Sequence, residues 1–148
     1  MKLTSQEFLD GKRIPIKYTC DGINLSPPLM ISDVPINTKS LVLIMDDPDA
    51  IKATGKVWDH WVVFNIPPET VKINEGEIPK GIVGKNSREL NDYSGPCPPD
   101  GEHRYFFKVF ALDKMLDLKH GYSKTQVEIA MKGHILEEAV LMGTYKRV

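Results

Sequence analysis

Apolar positions along this chain fall in short runs separated by turn signals, the spacing of strands rather than of helices. Residues 40–45 (SLVLIM) form a continuous apolar run of strand length, suited to burial on both faces. Residues 57–66 (VWDHWVVFNI) and 104–112 (RYFFKVFAL) are dense in aromatic and β-branched side chains and predict two more strands, the first stopped by Pro67 and Pro68. Residues 2–9 alternate loosely up to a turn at Asp10 and Gly11, and a second extended piece covers 14–19. Ser26, Pro27 and Pro28 force extended backbone ahead of another short strand. Residues 69–92 show no strong periodicity and predict a long excursion with one or two short strands. One helix is legible. Ser123 is a good N-cap, Gln126 completes a capping box, and Val127, Ala130, Met131, His134 and Ile135 follow at helical spacing. Gly133 falls inside that span, where it would cost about 1 kcal/mol against Ala, so a close approach is expected there. Residues 139–148 read as a closing strand. Many short strands and one late helix predict a mostly β, sandwich-like fold with helical additions, in a single domain spanning 1–148.

The polar positions that interrupt this pattern concentrate at strand ends. Residues 93–105 (YSGPCPPDGEHRY) exclude helix, because each proline removes a backbone donor and fixes φ. This turn-rich loop delivers His103 and Tyr105 to the start of a strand, two residues apart and therefore on one face, with Arg104 on the other. Asp47 and Asp49 follow the 40–45 run and share a face if the backbone stays extended. Trp58 and His60 share a face in the next strand. Adjacent antiparallel strands would then bring Asp47, Asp49, His60, His103 and Tyr105 to one end of a sheet.

Two chemistries fit such a cluster. A carboxylate on one ring nitrogen of a histidine fixes its tautomer and raises its pKa; with a tyrosine hydroxyl and loop N–H groups added, the pocket binds a small anion. Two histidines with two carboxylates are equally a metal set with an open position, suited to a hydrolase. Spacing does not separate the two. Taken singly, an Asp-Pro-Asp is usually a turn and a histidine in an apolar strand is usually a packed core residue. The coincidence at matching strand ends is what points to a site. His120, beside Gly121, reads as surface, and His134 as helix packing.

Composition narrows the classes. A formal net charge of -1, with acids and bases interspersed over 148 residues, leaves no basic stripe for nucleic acid and no polybasic patch for anionic membranes. No apolar run approaches the ~20 residues of a membrane helix, and the N-terminus has no apolar signal core, so a cytoplasmic setting is expected. Two cysteines, Cys20 and Cys97, are too few for a disulfide scaffold and lack metal-binding spacing. They are expected as reduced thiols, with a bridge between two loops as the alternative.

The ordered set of motifs resembles one family. Asp47-Pro48-Asp49-Ala50, Trp58-Asp59-His60, the loop Gly95-Pro96-Cys97-Pro98-Pro99 and His103-Arg104-Tyr105 occur in the order found in phosphatidylethanolamine-binding proteins, in their short bacterial and archaeal branch. Ser26-Pro27-Pro28-Leu29 and Met131-Lys132-Gly133-His134-Ile135-Leu136 also match, so the resemblance covers nearly the whole chain. It implies a central antiparallel sheet packed on a smaller one, with peripheral helices. It also implies an anion pocket for phosphate, acetate or a phosphoethanolamine-like headgroup, without a cofactor. The pocket residues carry over to Asp47, Asp49, His60, His103 and Tyr105, with Pro96 and nearby loop backbone as walls and Trp58 and Gly95 beside them. Family members act as binding or inhibitor proteins, so a kinase, a protease or a second copy of the chain are candidate partners. This chain departs from the family in placing Ile51 where a proline is common, which makes a cis bond there improbable. It also places Met30 and Ile31 where an aromatic often sits.

Overall fold

Because every side chain of the 40–45 run is apolar or small, this stretch can give up both faces to the interior, and it becomes the middle of a sheet. The computed structural model describes residues 1–148. Nine strands follow the chain: β1 (Lys2–Thr4), β2 (Lys12–Arg13), β3 (Leu29–Ser32), β4 (Ser40–Asp47), β5 (Trp58–Ile66), β6 (Lys72–Ile73), β7 (Ile82–Val83), β8 (Glu102–Leu112) and β9 (Ile135–Lys146). Helices α1 (Ile51–Thr54) and α2 (Lys124–Met131) and 3-10 turns at Ile16–Tyr18 and Pro48–Ala50 complete the elements. The larger sheet runs β2-β9-β8-β4-β5-β7 and the smaller β1-β3-β6. Pairing is antiparallel throughout except for β2, which lies parallel to β9. The fold is mostly β, two sheets packed together.

Period-2 alternation sorts the core. Leu41, Leu43 and Met45 of β4 and Tyr105, Phe107 and Val109 of β8 point between the sheets, meeting Ile31 of β3 in a cluster of 21 buried residues. The opposite face, with Val42, Ile44, Val62, Phe64 and Phe110, is covered by Val127 and Met131 of α2 and by Leu116 in a second cluster of 9. All eight residues of β4 are buried.

Several local expectations change. The capping box at Ser123 and Gln126 is present, but α2 stops at Met131. Gly133 adopts φ +81°, the left-handed conformation that ends helices, and an added Cβ there would meet nothing. So Gly133 terminates the helix rather than easing a contact, and Ile135 opens β9 instead of continuing α2. The piece at 14–19 is not extended; after Pro15 it turns into a 3-10 helix that buries Tyr18. No peptide bond is cis, including the one before Ile51. The reduced-thiol expectation is overturned. Cys20 and Cys97 form a disulfide across a sequence separation of 77, because the fold sets their two loops side by side. No helix is long and apolar enough to cross a membrane.

The register prepares one end of the large sheet. Asp47, the last residue of β4, lies opposite Trp58, the first of β5, and Asp46 lies opposite Phe106 near the start of β8. Between these pairs the register of β4 and β5 shifts: Met45 faces Trp61 but Asp46 faces Asp59, which leaves His60 as the extra residue. That bulge turns His60 to the same face as Trp61, where its ring packs roughly perpendicular to that of Tyr105 with centroids 5.3 Å apart.

Candidate functional site

Asp47 ends β4 with both carboxylate oxygens committed. Oδ1 accepts the backbone N–H of Asp49 at 2.8 Å, capping the 3-10 turn that Pro48 begins, and Oδ2 accepts Nδ1–H of His103 at 2.7 Å. His103 donates its other ring N–H to Asp100 Oδ1 at 3.1 Å. Burial works against the charged ring, but the hydrogen bonds to Asp47 and Asp100 outweigh it and hold the His103 pKa above its ordinary value. Both ring nitrogens of His103 thus face a carboxylate, which favours the charged ring, while burial pushes the Asp47 carboxyl above its ordinary value.

His60 has the opposite surroundings. Its Nδ1 lies 2.5 Å from the Ser94 carbonyl, and since a carbonyl only accepts, Nδ1 carries the proton. Burial pushes the His60 pKa down to about 4, against the weaker raising effect of that bond, so the ring is neutral near pH 7. Its Nε2 then presents a lone pair.

The 3-10 turn breaks the extended geometry on which the Asp47–Asp49 pairing depended. Asp49 rotates outward, where Arg104 binds it through Nε at 3.0 Å and Nη2 at 2.9 Å, with the Arg104 backbone N–H adding a third bond at 2.9 Å. The Arg104 hydrogen bond holds the Asp49 carboxyl below the usual carboxylate range. Arg104 does lie opposite His103 and Tyr105, as strand alternation requires.

A cavity of about 190 Å³ opens at this end of the sheet. Of the residues expected there, the structure brings Asp47, Trp58, His60, Gly95 and Tyr105 to its lining. It does not bring Asp49, His103 or Pro96. Asp49 is taken by Arg104, His103 stands behind Asp47, and Pro96 is buried in the loop with its carbonyl accepting from Cys20 N–H at 3.1 Å. Asp49 and His103 instead line a shallow depression with Lys52 and Asp100. The metal set expected as the alternative is not assembled: no three His, Cys, Asp or Glu side chains converge closely enough to hold an ion.

Five lining residues were not anticipated: Ala50, Thr54, Arg88, Cys97 and Pro99. Arg88 matters most, as the only cation on the lining. It sits in a turn that Asn86 builds by accepting the N–H groups of Arg88 and Leu90. Reciprocal bonds between Ser87 and Asp59 pin that turn beside β5. The Asn-Ser pair at 86–87 was the available signal, an Asx turn inside an otherwise featureless stretch.

The 93–101 loop forms the opposite wall and is held from behind. Tyr93 donates its hydroxyl to the Tyr18 carbonyl at 2.7 Å, Gly95 N–H donates to Asn24 Oδ1 at 2.9 Å, and the disulfide fixes Cys97. A side chain at Gly95 would overlap Asn24 and the Tyr18 carbonyl, so glycine is required there. One buried polar side-chain atom of a lining residue has no partner in the chain. Tyr105, fully buried, has a hydroxyl with no partner, and burial followed by the nearby Asp47 charge pushes its pKa up, so it remains a donor.

The chain is similar to known proteins over nearly its whole length. The family model described as phosphatidylethanolamine-binding protein matches residues 4–146. A UPF0098 protein of Methanothermobacter thermautotrophicus is 52% identical over 153 residues, covering 99% of each chain. The crystal structure of a putative phosphatidylethanolamine-binding protein homolog from Chlamydia trachomatis superposes with a TM-score of 0.96 at 45% identity, covering 99% of this chain and 97% of that one. YbcL of E. coli, described as a new member of the mammalian PEBP family, superposes with a TM-score of 0.90 at 31% identity over 99% and 98% of the two chains.

Proposed function

Given that the chain belongs to the phosphatidylethanolamine-binding protein family, we propose that its cavity binds a small phosphate-like anion. The Tyr105 hydroxyl carries this reading. A buried donor without an acceptor costs roughly 1–3 kcal/mol, and an anion in the cavity supplies that acceptor. Arg88 adds the charge, from a side chain exposed enough to adjust to the ligand. His103 contributes from behind, because its positive charge offsets that of Asp47 and keeps the floor from repelling an anion. Volume limits the ligand: about 190 Å³ takes a phosphoryl group with a small substituent.

Isothermal titration with inorganic phosphate and phosphoethanolamine tests the reading. Single-site binding is expected, and Tyr105→Phe should weaken it by about tenfold, the ~1.4 kcal/mol of one hydrogen bond to a charged group. Failure of either anion to bind the wild type would sink the proposal. The disulfide bears on the setting as well. It restricts a cytoplasmic location to cells whose cytosol tolerates such bonds, as in hyperthermophiles, and otherwise favours an oxidising compartment.

A further inference from the structure

Resting on the anion-binding reading above, we propose that the group selected by the cavity is a singly protonated phosphoryl. That is the terminal group of a phosphate monoester or inorganic phosphate, and His60 accepts its P–OH proton. Ser94 can only accept, so His60 Nδ1 must donate to it and Nε2 is left without a proton in the neutral ring. Nothing in the chain donates to Nε2, and His60 is on the cavity lining with its ring edge-on to Tyr105. An acceptor without a partner in the chain, His60 Nε2, and a buried donor without one, Tyr105 Oη, thus belong to two lining residues whose ring centroids lie 5.3 Å apart.

The charges around His60 keep it an acceptor. Arg88 on the 86–90 turn and His103 on β8 are both cations that oppose a second positive charge on the ring. Asp46 on β4 favours one, but its carboxylate is paired with Lys108 at 3.2 Å and Lys124 at 3.3 Å on the other face of the sheet. Asp47 on the floor already accepts from His103 and from the Asp49 backbone. Tyr105 and Arg88 are donors among the lining residues, and His60 Nε2 is an acceptor without a partner in the chain.

A ligand that answers all three carries unprotonated oxygens on one side and a hydroxyl on the other. Singly protonated phosphate monoesters have that arrangement. Fully ionised phosphate sets lone pair against lone pair at Nε2. A phosphodiester, the linkage inside an intact phospholipid, is an anion at every physiological pH but has no P–OH to give. The cavity therefore discriminates against the diester headgroup and in favour of the free phosphoryl end.

Calorimetric titration of the wild-type protein with inorganic phosphate, methyl phosphate, monofluorophosphate and dimethyl phosphate tests this. The second ionisation of phosphate monoesters lies near pH 6, and monofluorophosphate is the more acidic ligand. For each ionisable ligand, affinity should fall about tenfold per pH unit above that ligand's own second ionisation. The midpoint should move with the ligand. Dimethyl phosphate should bind at least about tenfold more weakly than methyl phosphate near pH 6 and show no such fall. A midpoint common to all ligands would assign the titration to a protein group and overturn the inference, as would a diester that binds as tightly as the monoester. Absence of binding by every ligand would instead remove the anion-binding reading beneath it. A long-range proton–nitrogen NMR spectrum of the free protein gives a check without any ligand or variant. His60 Nε2 should be unprotonated at neutral pH, and a protonated Nε2 there overturns the inference.

Discussion

His60 and His103 stand on strands that flank β4, at the same end of one sheet, each 4% exposed, yet their surroundings hold them in opposite states. His60 donates its one ring N–H to a backbone carbonyl and meets no carboxylate at either nitrogen, so burial decides and the ring is neutral. His103 meets a carboxylate at each nitrogen, so pairing overrides burial and favours the charged ring. Equal burial did not produce equal chemistry. What differs is the partner that meets each ring, a neutral carbonyl against a carboxylate, and it comes from a different segment in each case: Ser94 from the tethered loop, Asp47 from the end of β4.

The tether is the largest lever on this contrast. Ser94 and Asp100, one partner of each ring, lie on either side of Cys97 in the loop that the Cys20–Cys97 bond closes. Replacing both cysteines by serine removes a link across 77 residues and should cost about 4 kcal/mol in the chain-entropy account. Urea denaturation under non-reducing conditions measures it. A midpoint unchanged from the wild type would mean that the Tyr93 and Gly95 hydrogen bonds hold the loop unaided.

Next in size is the carboxylate side. Asp47→Ala strands a buried cation and should destabilise the protein by about 3 kcal/mol, while Asp100→Ala, which removes an exposed partner, should cost under about 1 kcal/mol. Equal losses in denaturant melts would show that the two carboxylates share the work and that burial is not what distinguishes them.

The contrast also predicts opposite tilts of stability with pH. His60 has a depressed folded pKa, so the unfolded chain takes up its proton first as pH falls. The resulting penalty is absent above the ordinary histidine value and grows as pH falls from there toward about 4, on the order of 3 kcal/mol in all. His103 has a raised folded pKa, so its contribution is fully present below the ordinary value and is lost as pH rises through the folded one. His60→Asn should flatten the acid limb of the stability curve and leave the alkaline limb alone, and His103→Asn should do the reverse. Urea melts across pH resolve the two limbs, and a single limb altered by both variants would collapse the distinction.

Much of the frame was legible in the sequence, for reasons that apply residue by residue. Continuous burial in β4, the aromatic run of β8 and the cap at Ser123 depend on neighbours within a few positions, and periodicity reports such neighbours well. The proximity of Asp47, His60 and Tyr105 was also readable, because strand ends and face parity are local properties that register then aligns. Asp49 was misplaced because parity holds only while backbone stays extended, and Asp47 itself ends that extension by capping the turn through Asp49 N–H. The disulfide and Arg88 were hidden for a different reason. Each depends on two distant loops meeting, 20 with 97 and 86–90 with β5, and nothing in either segment names its partner. Gly133 shows the limit at shorter range, since a left-handed terminator and a glycine within a helix look alike until φ is known.

Two tryptophans mark the two environments of this end of the sheet. Trp61 is 2% exposed and packs edge-on to Tyr93, 5.3 Å between ring centroids, inside the main core. Trp58, half-buried, lies on the cavity wall with Lys56 Nζ 5.3 Å from its ring. The molecule thereby carries its own pair of optical reporters. Emission from Trp58 is open to aqueous quenchers and to whatever enters the cavity, and emission from Trp61 answers to the integrity of the core. With Trp61→Phe, occupancy becomes a fluorescence signal free of the core's contribution; with Trp58→Phe, unfolding becomes one free of the ligand's.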